Sequence, residues 1–107
     1  MMQTFHKTGY VYNDLKPENI CLGNYYNDEE LHILKLIDFG LCSKYMENGE
    51  HIDNNKVKVM CGNLAFNSPY SFKFVPRTRR DDIFSILYIL IYLYTNVEPF
   101  SNEIDRN

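Results

Sequence analysis

The sequence predicts an α+β fold, mainly α with a short β-hairpin, and two observations carry that expectation. The first is the apolar run Ile83 to Tyr94, interrupted only by Ser85. It is too short to cross a bilayer and reads as a buried core helix, with Asp81 and Asp82 in its first turn, where the helix dipole favours negative charge. The second is a pair of short apolar segments, Ile20-Cys21-Leu22 and His32 to Ile37, on either side of the polar stretch Asn24 to Glu30. That pattern predicts two strands joined by a turn. With 107 residues, 45% of them hydrophobic and 23% charged, the chain has enough apolar material for one domain with a modest core.

The remaining elements follow in order. Met1 to Thr8 is weakly helical and stops at Gly9, so it reads as the tail of a helix. Tyr10 to Tyr12 is a brief extended entry to a polar loop, in which Pro17 is tolerated because no amide hydrogen is needed there. The predicted hairpin would bring Asn19 and Asp38 to the same end. Cys42 to Met60 reads as a long surface loop that contains Asn48-Gly49 and Asn54-Asn55. Cys61 to Pro69 is mixed and punctuated by Gly62. Arg77 to Asp82 opens the strong helix, Asn96 to Phe100 with Pro99 ends it, and the last seven residues read as a frayed end.

Charge and cysteine usage exclude several classes. A net charge of -3 and a pI of about 5.5 give no general attraction to nucleic acid or to an anionic membrane. The three cysteines Cys21, Cys42 and Cys61 form no Cys-x-x-Cys pair, their number is odd, and no signal peptide precedes them. Reduced thiols in the cytoplasm or nucleus are therefore expected. His6, His32 and His51 lack metal-ligand spacing.

The chemistry-bearing residues are concentrated in Asp14-Leu15-Lys16-Pro17-Glu18-Asn19, answered by Asp38-Phe39-Gly40. Asn19 and Asp38 offer two oxygens that can share a divalent cation, beside a free carboxylate and a lysine. That combination suits phosphoryl transfer better than most chemistries.

Three motifs in order carry a resemblance. Tyr12-Asn13-Asp14-Leu15-Lys16-Pro17-Glu18-Asn19 is similar to the catalytic loop of eukaryotic protein kinases, with Tyr12 where that pattern has histidine. Ile37-Asp38-Phe39-Gly40-Leu41 is similar to their magnesium-binding motif. Arg79-Arg80-Asp81-Asp82, running into Ile83-Phe84-Ser85-Ile86-Leu87-Tyr88, resembles a helix start found in the casein kinase I group, and the spacing from Gly62 through Ser68 to Arg79 fits that group. The resemblance covers about residues 8 to 100. It implies a partial protein kinase domain over residues 1–107, from the catalytic loop to the central helix of the C-terminal lobe, with the N-terminal lobe absent.

The resemblance implies a serine/threonine protein kinase that uses ATP and Mg2+, represented by a fragment that is inactive by itself. Asp14 would accept the proton of the substrate hydroxyl, and Lys16 would offset charge on the transferring phosphate. Asn19 and Asp38 would hold Mg2+. Lys16, Glu18, Asn19, Cys21 and Asp38 would line the nucleotide site, with Cys21 under the adenine. Asp82 would hold the catalytic-loop backbone. Arg77, Arg79 and Arg80, with Lys56, Lys58 and Lys73, form a basic cluster that would suit protein substrates that are acidic or already phosphorylated. No nucleic acid or membrane partner is expected.

Besides Tyr12, four residues depart from the pattern. Asn13 replaces the arginine that pairs with a phosphorylated loop, so loop phosphorylation, at Ser43 for instance, is expected to have no switching role. Tyr70 stands where most kinases have a glutamate, and Asn63 where they have a threonine. Leu87 replaces a glycine, so packing around it is expected to have adjusted. Two other classes compete with the kinase: a non-catalytic kinase-like binding domain, and a small-molecule phosphotransferase of kinase-like fold. Lys16 and the Arg-Arg-Asp-Asp helix start disfavour the second.

Overall fold

A computed structural model describes residues 1–23, 26, 29, 32–52, 65–73 and 77–99. The element order is α1 (Met2–His6), β1 (Tyr10–Val11), β2 (Ile20–Leu22), β3 (Leu34–Leu36), β4 (Ser43–Lys44), β5 (Met46–Glu47), β6 (Glu50–His51) and α2 (Arg79–Thr95). Three-ten turns at Pro17–Asn19 and Pro69–Lys73 complete it.

Helix α1 ends at His6, two residues before the expected Thr8. Gly9, at φ 91°, turns the chain into β1, and an added Cβ there would come 3.1 Å from the Met46 carbonyl oxygen. That carbonyl and the positive φ both call for glycine at this position. The β2–β3 hairpin forms in antiparallel register, with Ile20 opposite Leu36, Cys21 opposite Lys35 and Leu22 opposite Leu34. The turn between them, Asn24 to Glu30, lies largely outside the described residues.

The stretch read as one long loop from Cys42 contains three strands. Ser43–Lys44 pairs with Tyr10–Val11, and Met46–Glu47 pairs with Glu50–His51. Asn48 and Gly49 supply the positive φ angles, 53° and 80°, of the tight turn between the last two. Residues 53 to 64, with Lys56, Lys58, Cys61, Gly62 and Asn63, lie outside the described part.

These strands correct the expected fold class. Among the described residues, six short strands form three separate two-stranded sheets, against one long helix and a five-residue one. The fold is therefore not mainly α. The strands missing from the sequence reading, β4, β5 and β6, are two residues long, too short to leave an apolar run in the sequence.

The core is formed by Met2, Tyr12, Leu15, Phe66 and Ile89, with Phe5, Ile20, Leu36, Ile86 and Tyr92 packed against it. Among the described residues, helix α2 joins it by one side. Ser85 donates to the Phe66 carbonyl at 2.6 Å, which holds residues 65–68 against the helix. Asn96 ends α2 in the left-handed conformation at φ 59°, its N–H donating to the Tyr92 carbonyl at 2.7 Å.

The opposite side of α2 is apolar yet open: Ile83, Leu87, Leu90, Ile91 and Tyr94 are exposed among the described residues. A helix apolar on all sides predicts burial on all sides. Here the described residues supply one packing partner, so half of the expected core helix faces outward. Leu87 is 51% exposed and requires no adjustment of its neighbours.

Candidate active site

Residues 12 to 19 are positioned mainly from below, by the first turn of α2. Asp82 is almost fully buried and accepts from the Tyr12 N–H at 2.8 Å and the Asn13 N–H at 3.0 Å. Its second oxygen also lies 2.7 Å from Nε2 of buried His6. One carboxylate thus joins α1, the polar loop and α2 within 3 Å contacts. Its neighbour Asp81 accepts from the Thr78 N–H at 2.8 Å and from the Ser68 hydroxyl, closing the helix start onto residues 68–78.

Asn13 ties the loop sideways. Its backbone adopts φ 71°, a conformation that asparagine tolerates better than most residues. Its side-chain Nδ2 donates to the Leu41 carbonyl at 2.9 Å and to Ser43 Oγ at 2.8 Å. Its own Oδ1 is buried and without a partner among the described residues. A neutral amide therefore already connects the loop to β4. We expect Asn13→Ala to lose about 2–3 kcal/mol of stability, from two hydrogen bonds and a strained backbone. Asn13→Gly should lose about 1 kcal/mol less because it relieves the backbone term. Urea denaturation of both variants decides it, and a glycine variant weaker than the alanine one would remove the strain argument.

Asp14 follows directly and is 7% exposed. The Asn19 Nδ2 donates to the Asp14 carbonyl at 2.9 Å and to its carboxylate at 3.1 Å. These two bonds orient the Asn19 amide, so that its oxygen is directed away from the carboxylate. The Lys16 Nζ stands 4.0 Å from Asp14 Oδ2, half-buried rather than solvated. The three residues are brought together because a three-ten turn at Pro17–Asn19 folds the chain back, with the Asn19 N–H donating to the Lys16 carbonyl at 3.0 Å.

The hairpin brings the backbone just before Asp38 beside Asn19. The Ile37 N–H donates to the Asn19 carbonyl at 3.0 Å, one residue before Asp38. The Tyr12 hydroxyl donates to the Ile37 carbonyl from the other side. Asp38 sits at φ 61°, and one oxygen of its carboxylate accepts from the Gly40 N–H at 3.2 Å. A Cβ on Gly40 would come 3.3 Å from that oxygen, so a side chain there would crowd the carboxylate. Phe39 anchors the segment, stacked on Phe5 at 5.9 Å and edge-on to Tyr12 at 5.8 Å.

The electrostatics bear on the same spot. Burial, then Asp14, Cys42, Asp38 and Asp82 in that order, push the Tyr12 phenol far above the ordinary tyrosine range. Burial, followed by Asp82, Asp38 and Asp14, pushes the Cys42 thiol up as well. Three carboxylates from separate segments therefore act on one pair of neutral groups.

Asp38 joins this set through the backbone of its neighbour Ile37, and two other expected residues lie outside it. Glu18 and Cys21 are exposed, and Cys21 faces Lys35 across the hairpin. Among the described residues no three His, Cys, Asp or Glu side chains cluster as a metal site. No helix among them is long and apolar enough to cross a membrane. Sequence reasoning missed His6, whose partner is 76 positions away, and no local signal could have revealed it.

Known proteins share the pattern. A family model described as the protein kinase domain matches residues 1–107. Casein kinase 1-like protein HD16 of Oryza sativa subsp. japonica is 34% identical over 103 residues, which is 94% of this chain and 14% of that protein. The "Probable casein kinase I homolog" of Encephalitozoon cuniculi is 32% identical over 92% of this chain and 30% of its own length. The B1 kinase of Vaccinia virus (strain Western Reserve) is 33% identical over 94% of this chain and 33% of its own. The chain thus spans a third or less of the curated relatives it matches. The family match runs the length of the chain and marks no lobe. With the strands described above, it overturns the expected assignment to a mainly α, C-terminal lobe.

Proposed function

Because the chain belongs to the protein kinase domain family and is casein kinase I-like, we propose that it carries the reacting end of a serine/threonine kinase that moves the ATP γ-phosphate to protein hydroxyls. The observation that supports this reading best is the buried Asp14 carboxylate, held by the Asn19 amide at 3.1 Å with Lys16 at 4.0 Å. A carboxylate oriented in this way can accept the proton of an incoming serine or threonine hydroxyl. The substrate oxygen then attacks the γ-phosphorus in line, the bond to the ADP oxygen breaks, and the proton rests on Asp14. Lys16 offsets negative charge on the transferring group.

Asn19 and Asp38 fit a hard divalent cation. Both offer oxygen, the Asn19 amide is turned by its bonds to Asp14, and the Asp38 bond to Gly40 uses one carboxylate oxygen. Mg2+ held there would neutralise the phosphates of ATP. Lys16, Glu18 and Cys21 complete the proposed nucleotide side. Protein substrates follow from the family, and acidic or already phosphorylated ones from the casein kinase I likeness. The same reading puts the protein in the cytoplasm or nucleus.

The test is transfer of labelled phosphate from ATP to casein by a polypeptide that carries this segment within a whole kinase domain. Transfer that requires Mg2+ and disappears with Asp14→Asn is the expected result. The 107-residue chain alone is expected to leave casein unlabelled, because it spans a third or less of the relatives' length. A whole domain that binds Mg2+ and ATP but labels nothing would favour a non-catalytic binding domain instead.

A further inference from the structure

The segment from Asp38 through Leu41 is exposed. Burial therefore does little to fix the direction of the Asp38 carboxylate, and its backbone, at φ 61°, is one that residues other than glycine seldom adopt without support. A metal ligand needs a fixed direction, because a carboxylate that swings must be ordered again each time the ion binds. Groups outside the segment have to hold it.

Two consecutive residues of the polar loop do so. The Tyr12 hydroxyl donates to the Ile37 carbonyl, one residue before Asp38. The Asn13 Nδ2 donates to the Leu41 carbonyl at 2.9 Å, three residues after it, and to Ser43 Oγ at 2.8 Å. Neighbouring side chains of an extended strand point to opposite faces. The left-handed backbone at Asn13, φ 71°, departs from that alternation, and both side chains reach the same segment. Between the two bonds the chain closes on itself. The Cys42 N–H donates to the Phe39 carbonyl at 3.2 Å, and the Gly40 N–H to the Asp38 carboxylate at 3.2 Å.

The anchors are firmly seated. Tyr12 and Asn13 are 0% and 4% exposed, and Asp82 holds the N–H of each. Neither side chain changes charge near neutral pH. An amide has none, and the Tyr12 phenol, pushed far above the ordinary range by burial first and Asp14 next, stays a donor. An arginine at position 13 would be long and charged. Asparagine is short enough to direct its donors to the backbone beside Asp38.

We propose that Asn13 is a positioning residue for the magnesium ligand, a role that rests on the reading of Asp38 as a Mg2+ ligand. With Tyr12 it fixes Asp38-Phe39-Gly40 at both ends, so that Asp38 faces the metal in one direction with no phosphate on the loop.

Mn2+ shares the oxygen preference of Mg2+ and serves as the probe. It is titrated into the polypeptide that carries this segment within a whole kinase domain, and free Mn2+ is followed by electron paramagnetic resonance. Partners that orient a metal ligand are worth about 10–100-fold in metal affinity. Asn13→Gly, which tolerates φ 71°, should weaken Mn2+ binding about tenfold. It should raise the Mg2+ concentration for half-maximal phosphate transfer by a similar factor, with kcat at saturating Mg2+ within about threefold of wild type. Tyr12→Phe keeps the ring and loses the other bond. It should shift both readouts the same way, and it carries the test if the glycine variant does not fold. Ser85→Ala loses the bond to the Phe66 carbonyl at 2.6 Å, away from residues 37–43, and should leave metal binding unchanged. Asp38→Asn should weaken Mn2+ more than any of these. If it does not, the reading of Asp38 as a metal ligand fails, and the role of Asn13 with it. If Asp38→Asn does abolish binding while Asn13→Gly and Tyr12→Phe stay within about twofold of wild type, the positioning role alone is overturned. Equal weakening by Ser85→Ala would overturn it too, since loss of stability would then explain the effect.

Discussion

Asp82→Ala is expected to remove about 4–6 kcal/mol of stability, a large share of the roughly 5–15 kcal/mol that holds a native domain together. The carboxylate is 1% exposed and meets three donors: His6 Nε2 at 2.7 Å, and the N–H groups of Tyr12 at 2.8 Å and Asn13 at 3.0 Å. Alanine leaves all three buried without an acceptor, and each such group costs about 1–3 kcal/mol. Water cannot easily replace the carboxylate, because Val11 and Tyr12 beside it are fully buried. Asp82→Asn keeps one acceptor oxygen but turns an amide N–H₂ toward a donor, so it should fall between alanine and wild type. Urea denaturation followed by circular dichroism measures both. A Asp82→Ala midpoint within about 0.5 kcal/mol of wild type, as for an ordinary surface substitution, would show that the loop is held by something else. The functional consequence lies two residues on: the N–H groups that Asp82 holds immediately precede Asp14. A loss of stability here should therefore accompany a loss of order at the proposed proton acceptor.

What could be read from the sequence divides according to distance along the chain. Asp14, Lys16 and Asn19 lie within six residues, and a single three-ten turn gathers them, so residue types and spacing were enough. The β2–β3 hairpin was legible for a similar reason, since its two apolar segments flank one polar turn. The β1–β4 pairing was not legible. It joins Tyr10–Val11 to Ser43–Lys44 across 32 or more positions, through strands of two residues. The β5–β6 turn left a signal in Asn48-Gly49, but the flanking Met46-Glu47 and Glu50-His51 are too polar to read as strands. These omissions are why the expected class was mainly α. The meeting of α1 with α2 shows the same limit, since it rests on His6 and Asp82, 76 positions apart. Conversely, the apolar pattern of residues 83–94 predicted burial on every side, and the described residues cover one side.

Asp14→Asn should lower phosphate transfer by about 10²–10⁴-fold in a polypeptide that carries the whole domain, the range over which a positioned general base contributes. The substitution preserves shape. Its amide oxygen can still accept from the Asn19 Nδ2, which now donates to the carboxylate at 3.1 Å, and the backbone bond from Asn19 at 2.9 Å is untouched. Stability should therefore change by less than about 1 kcal/mol. What disappears is a negative group able to take a proton, together with the charge that faces Lys16 at 4.0 Å. The Michaelis constant for ATP should stay within about threefold, because an interaction made only in the transition state lowers kcat rather than ground-state binding. The separation matters because Asp82→Ala also abolishes activity if the domain unfolds. Asp14→Asn must do so with the melting curve and ATP affinity intact. A variant that folds as wild type and keeps more than about a tenth of the rate would remove Asp14 as proton acceptor. The transfer would then have to rest on charge placement around Lys16, Asn19 and Asp38, without a base from this chain.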